Sequence, residues 1–96
     1  MLVECQLLSV MAQVKRVIDG DTFETISGQR IRLAGVDAPE KGKPGSVEAT
    51  EKLESLVGNK NVAVDPVGTS YGRIVADVEI GGQSVNKSMQ RYLKGK

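Results

Sequence analysis

The chain has 96 residues, with 13 Lys and Arg against 12 Asp and Glu, no His and a single Cys. A chain of that length forms one domain and buries about 60 to 70% of the surface it exposes when unfolded; with Phe23, Tyr71 and Tyr92 as its only aromatics, its core must be aliphatic and its stability marginal. A formal charge of +1 excludes a global nucleic-acid signature, so any attraction for a polyanion is local; the lone Cys5 excludes an internal disulfide, and no apolar run reaches membrane-spanning length.

Residues 1–9 lack the positive start of a signal peptide, and Glu4 and Gln6 interrupt their apolar stretch. They read as an extension of the first strand or an added segment, and localisation stays open between the cytoplasm and a mature exported domain. Val10 to Lys15 alternates well enough for a first strand. Thr22 to Ile26 and Arg30 to Leu33 then form a hairpin around Ser27-Gly28-Gln29. Lys41 to Gly45 reads as a flexible basic loop, with Ser46 as N-cap of a helix and Glu48 favourable in its first turn. Ala49, Leu53, Leu56 and Val57 share one face of that helix, and Gly58 stops it.

Asn61 to Asp65 gives a fourth strand and Arg73 to Ile80 a fifth. Gly68 to Gly72 between them lacks the Lys and spacing of a phosphate-binding P-loop and reads as a mobile connection. After a Gly81-Gly82 turn, Val85 to Leu93 forms a second helix that packs Val85, Met89, Tyr92 and Leu93. The expected fold is therefore mainly β with α (α+β). Residues 1–96 make a single domain, a five-stranded OB-fold barrel with one helix between strands 3 and 4 and a short C-terminal helix.

Chemistry concentrates at the open end of the hairpin. A turn centred on Gly28 or Gln29 brings Asp21 opposite a residue close to Asp37, and Glu40 follows three residues later. Carboxylate oxygens are hard ligands that suit Ca²⁺, Mg²⁺ or Mn²⁺, whereas zinc or copper would recruit His or Cys. Pro39 fixes its own φ and biases Ala38 towards an extended backbone, a kink that can turn the Ala38 carbonyl to a cation beside Asp37. Arg32 lies on the same strand, and the ligand that bridges a guanidinium and a divalent cation is a phosphate. The plainer reading of these residues is an Asp-Gly-Asp turn, a solvated loop before a helix and, at Arg73, an ordinary surface charge. Lys41 and Lys43 then belong to a polar loop, and Lys87, Arg91, Lys94 and Lys96 to a solvated helix face.

Asp19-Gly20-Asp21-Thr22, then Arg32-Leu33 to Val36-Asp37-Ala38-Pro39-Glu40, then Tyr71-Gly72-Arg73 closely resemble the staphylococcal nuclease (thermonuclease) family in order and spacing, over roughly residues 12 to 94. The resemblance implies that Asp21, Asp37 and the Ala38 carbonyl ligate Ca²⁺. It further implies that Glu40 orients or deprotonates the attacking water, and that Arg32 and Arg73 clamp the scissile phosphate. Tyr71, Lys41 and Lys43 would contact the substrate. Ser70 stands where the family often has a basic residue, and Ala38 where it usually has Thr, a change that a backbone ligand tolerates. The family usually continues past the position of Lys96 through nucleotide-stacking tyrosines and a further helix, so part of that substrate platform is expected to be missing.

Two functions follow. One is a Ca²⁺-dependent endonuclease that hydrolyses DNA or RNA, most accessible in single-stranded or frayed form because a shallow barrel face must reach the backbone. It would act without a membrane or an evident protein partner, as a monomer or weak homodimer. The other is a catalytically idle OB-fold that only binds nucleic acid or protein. A binding face would want stacking aromatics, which are scarce here, and it has no chemical need for all of Asp21, Arg32, Asp37, Glu40 and Arg73.

Overall fold

The computed structural model describes residues 10–95; the expected segment 1–9, with Cys5, and the final Lys96 lie outside them. Eight elements follow one another: β1 (Val10–Asp19), β2 (Thr22–Thr25), β3 (Arg30–Leu33), α1 (Ser46–Val57), β4 (Asn61–Ser70), β5 (Arg73–Ile80), β6 (Gln83–Ser84) and α2 (Val85–Lys94). Antiparallel pairing joins β3 to β2, β2 to β1, β1 to β4 and β4 to β5, and a parallel pairing of β3 with β5 closes these five strands into a ring. This is the expected OB-like α+β arrangement, with α1 crossing between β3 and β4. No helix among the described residues is long and apolar enough to cross a membrane.

β1 serves two partners in succession. Val10 to Gln13 pair with β4, and Val14 to Asp19 pair with β2. Register breaks between Val14 and Arg16 and between Val17 and Asp19 bend the strand where it changes partner, as bulges do. The interior is aliphatic around one ring: Phe23, Ile31, Leu33, Val62 and Val78 from the sheet meet Leu53 and Val57 of α1 and Met89 of α2, all but sealed from water. The helix faces expected from the spacing of apolar residues are the ones buried.

Local chemistry corrects several expectations. Ser46 is not the N-cap of α1. Gly45 holds that position in a left-handed conformation with φ 87°, and Ser46 is the first helical residue, its carbonyl accepting the Thr50 hydroxyl at 2.8 Å. The basic segment before it is two successive turns rather than a free loop, closed by Lys43 N–H to Glu40 O and Ser46 N–H to Lys43 O. At the far end Gly58 caps α1 through its N–H to Glu54 O, but Asn59, with φ 59°, makes the left-handed reversal.

The mobile connection expected at Gly68 to Gly72 is mostly strand. β4 passes an irregularity between Pro66 and Gly68 and stays paired to β5 as far as Ser70 with Arg73. Tyr71 and Gly72 alone form the turn, with φ of 51° and 78°, the two positive values that a tight type I′ hairpin needs. Two-residue β6 was not foreseen. It pairs with the end of β5 and delivers Ser84 as the N-cap of α2, whose hydroxyl accepts the Lys87 N–H at 3.2 Å.

Candidate active site

The site is built around a glycine that leaves no room for a side chain. Gly20 is buried in the β1–β2 turn, where a Cβ would stand 2.6 Å from the Cβ of Ala49 on α1 and 2.8 Å from that of Ala38. Asp19-Gly20-Asp21 is thereby wedged between the helix and the 36–40 segment. In the hairpin, Thr22 pairs with Arg32, and the Leu33 N–H donates to Asp21 O at 2.8 Å. The turn is thus centred near Ser27, and in the ladder Asp21 lies opposite Leu33, four residues before Asp37. Asp37 arrives differently: the chain reverses at Ala34-Gly35, with Gly35 at φ 73°, and returns along the cleft.

The result is an open cleft of about 370 Å³ lined by Asp19, Asp21, Arg32, Asp37, Ala38, Pro39, Glu40, Lys41 and Arg73. Seven of the nine residues singled out from sequence meet there. Lys43 is exposed in the turn before α1, and Tyr71, 96% exposed, stands at the tip of the β4–β5 turn; neither lines the cleft. A separate hollow of about 340 Å³ carries Asp65, Asp77 and Glu79 beside Lys87, a balance of charge that repels phosphate.

Asp21, 8% exposed, is the anchor of the cleft. Its Oδ1 accepts the Thr22 hydroxyl at 2.9 Å, and its Oδ2 accepts the Ala38 N–H at 3.4 Å and faces Arg32 Nη2 at 3.5 Å. Arg32 also donates to Leu33 O at 3.3 Å, and Arg73 Nη1 reaches the Thr22 hydroxyl at 3.5 Å. Sequence reasoning gave no role to Thr22, which is 2% exposed and links Asp21 to Arg73, nor to Asp19, although both stand in the Asp-Gly-Asp-Thr motif. Nothing local marks Thr22: its link to Arg73 is made with a residue 51 positions later in the chain.

The lining groups of the cleft that could ligate a metal are oxygens, from Asp19, Asp21, Asp37 and Glu40, and these suit a hard divalent cation. The described residues contain no compact cluster of three acidic ligands. Asp21 and Asp37 would therefore supply only part of a coordination shell, leaving backbone, water and phosphate oxygens to complete it, an arrangement hard cations accept. Exposed Asp37 and Glu40 at the mouth, and the half-buried Arg32 and Arg73 beside them, put opposite charges on a single shallow surface.

Comparison with known proteins gives this arrangement a lineage. Residues 30–92 match the family model of the staphylococcal nuclease homologue, and the chain belongs to that family. It is 39% identical over 87 residues to a protein of Escherichia coli described as an uncharacterized endonuclease, a match that covers 85% of this chain and 57% of that one. It is 33% identical over 81 residues to the micrococcal nuclease of Shigella flexneri, covering 75% and 47%. A probable staphylococcal-like nuclease of rice is 41% identical over 61 residues, covering 62% of this chain and 18% of the relative. The chain spans about half the length of the two bacterial relatives.

Proposed function

We propose that this domain is a nuclease that hydrolyses phosphodiester bonds of DNA or RNA with the help of Ca²⁺. The observation that carries the reading is the convergence of Asp21, Asp37, Glu40, Arg32 and Arg73 on one cleft, in a chain whose relatives bear the names of nucleases.

Hydrolysis of a phosphodiester needs a positioned water, neutralisation of charge on the five-coordinate phosphorus and help for the leaving oxygen. Asp21, Asp37 and the Ala38 carbonyl are the candidates to hold the cation, which when bound supplies Lewis acidity and a template for the phosphate. Glu40 has no hydrogen-bond partner for its side chain among the described residues and sits at the cleft mouth, free to accept a proton from water. Arg32 and Arg73 converge from adjacent strands and would grip the equatorial oxygens, a task that suits the planar guanidinium fork. Lys41 adds positive charge at the rim. The cleft is open and shallow, so a single-stranded or frayed backbone is the form that reaches it.

The test is incubation of the purified protein with end-labelled single-stranded DNA, with Ca²⁺ or with excess chelator. Cleavage with Ca²⁺ that stops in chelator supports the reading; cleavage undiminished in chelator removes the metal from it. No cleavage by a folded sample in Ca²⁺ favours a domain that only binds.

A further inference from the structure

The outer face of the ring carries a line of charge that leads away from the cleft. Across β2 and β3, Thr22 pairs with Arg32 and Glu24 with Arg30; across β1 and β2, Arg16 pairs with Glu24. On the other side of β3, the parallel pairing of Ile31 with Ile74 sets Arg30 and Arg73, each one residue earlier, on neighbouring strands. Ile31 points into the core at 1% exposure, so the alternation of a strand turns Arg30 and Arg32 outward together, about 6.6 Å apart along β3. That is similar to the separation of successive phosphates in a nucleic-acid strand.

Arg30 also borders a groove of its own. Gly28, Gln29, Arg30, Gly72 and Ile74 line an open hollow of about 480 Å³ between the β2–β3 and β4–β5 turns. A Cβ built on Gly28 or Gly72 would meet nothing within 4 Å, so the two turns leave this space clear. The nearby carboxylate is already engaged: Glu24 accepts Arg16 Nε at 2.7 Å. Among the described residues Arg30 forms no ion pair within 4 Å. An exposed guanidinium set across the strands from Arg73, beside an open groove whose Gly72 and Ile74 flank Arg73 of the cleft, suits a second phosphate.

We propose that this groove extends the substrate site, with Arg30 binding the phosphate next along the strand from the one held between Arg32 and Arg73. The inference rests on the nuclease reading above. Because no aromatic side chain among the described residues lines the groove, the contact is to backbone and indifferent to base. The domain then grips two consecutive phosphates of a single strand, and a substrate that carries the second one is used better than a bare dinucleotide.

Two measurements test this on the full chain and its Arg30→Gln variant, a substitution at an exposed position. The first is the salt dependence of binding to fluorescent oligothymidylate in chelator, read by anisotropy. Loss of one phosphate contact on a single strand lowers the slope of log K against log salt by about 0.7. The second compares kcat/KM in Ca²⁺ for thymidylyl-thymidine with no terminal phosphate, a 5′-phosphate or a 3′-phosphate. One of the two phosphates raises kcat/KM about tenfold in the parent, as a charge-assisted hydrogen bond predicts, and Arg30→Gln loses most of that gain. Equal slopes for the two proteins, or an equal gain from both phosphates, overturn the inference while leaving the nuclease reading intact. A parent protein that cleaves nothing in Ca²⁺ defeats the nuclease reading instead, and the salt slope alone then decides whether Arg30 holds a phosphate. Absence of any binding overturns both.

Discussion

The Asp21 carboxylate meets the backbone N–H of Ala38 at 3.4 Å, a contact across seventeen residues that fastens the β1–β2 turn to the loop carrying Asp37 and Glu40. Gly20 makes that contact possible. Its missing side chain lets the turn press against both Ala38 and Ala49. Groups with separate expected roles are thus held by one packing contact between two loops and a helix.

Gly20→Ala would force a methyl group to within 2.6 Å of the Ala49 Cβ and 2.8 Å of the Ala38 Cβ, well inside the roughly 3.5 to 4.0 Å of comfortable carbon contact. Overpacking of this kind costs about 1 to 3 kcal/mol. The expected outcome is a lower urea midpoint and a fall in cleavage rate beyond what the loss of folded protein accounts for. A variant with parental midpoint and rate would show that the wedge is not needed.

Asn86 makes the same kind of demand at the other helix. Only 4% exposed, it accepts the Val78 N–H at 2.7 Å and donates to Ala34 O at 2.8 Å and Ala76 O at 3.1 Å, tying α2 to β5 and to the turn after β3. Asn86→Ala should cost about 1 to 3 kcal/mol by stranding these groups. Asn86→Asp, which turns a carboxylate towards two carbonyls and Asp77, should be at least as unstable near neutral pH and recover in acid. Chemical denaturation at both pH values distinguishes the two variants; Asp tolerated as well as Asn at neutral pH would contradict the network.

Much of this was legible in the sequence, and the exceptions share a cause. Strands and helix faces follow from alternation and helical spacing, and the carboxylates Asp21, Asp37 and Glu40 from hard-ligand chemistry, all local signals; Arg73 and Tyr71 stand out only through the family resemblance. The errors lie where a backbone choice depends on distant partners. Gly68 to Ser70 reads as loop by composition but is held in β4 by its ladder with β5. Ser46 has the chemistry of an N-cap, but the turns from Glu40 place Gly45 there instead. Asp37 enters the cleft through the Gly35 reversal and not by hairpin symmetry, and the role of Thr22 emerges only when Arg73 arrives from 51 residues away.

Glu24 provides a pH test on the basic face. The Arg16 hydrogen bond holds its carboxyl below the usual value against an opposing effect of burial, helped by the charges of Arg16, Lys15 and Arg30. A lowered folded-state pKa stabilises the fold above the unfolded pKa and loses that contribution as pH falls through the folded one. Glu24→Gln should therefore be slightly less stable than the parent near neutral pH in low salt, and the difference should vanish in acid and shrink in high salt. Denaturation midpoints at several pH values check this; a gap that widens in acid would reverse the assignment.

Ligand binding should appear in the melting temperature, because a molecule that binds only the folded state adds RT ln(1 + [L]/Kd) to stability. Ca²⁺ with a nucleoside bisphosphate should raise it clearly, and Ca²⁺ alone by less. An Arg32→Ala, Arg73→Ala double variant should gain nothing from the nucleotide. If it gains as much as the parent, the phosphate binds elsewhere.

The division of labour between Asp21 and Glu40 tests the account most directly, by measuring turnover and Ca²⁺ affinity on the parent, Glu40→Gln and Asp21→Asn side by side. Glu40→Gln keeps shape but removes the base, so kcat should fall by roughly two to four orders of magnitude with Ca²⁺ affinity little changed. Asp21→Asn should weaken Ca²⁺ binding first, with much of its activity restored at saturating Ca²⁺. Small and equal effects of the two substitutions on turnover and on Ca²⁺ titration would contradict the assignment of this cleft as a cation-assisted phosphodiesterase site.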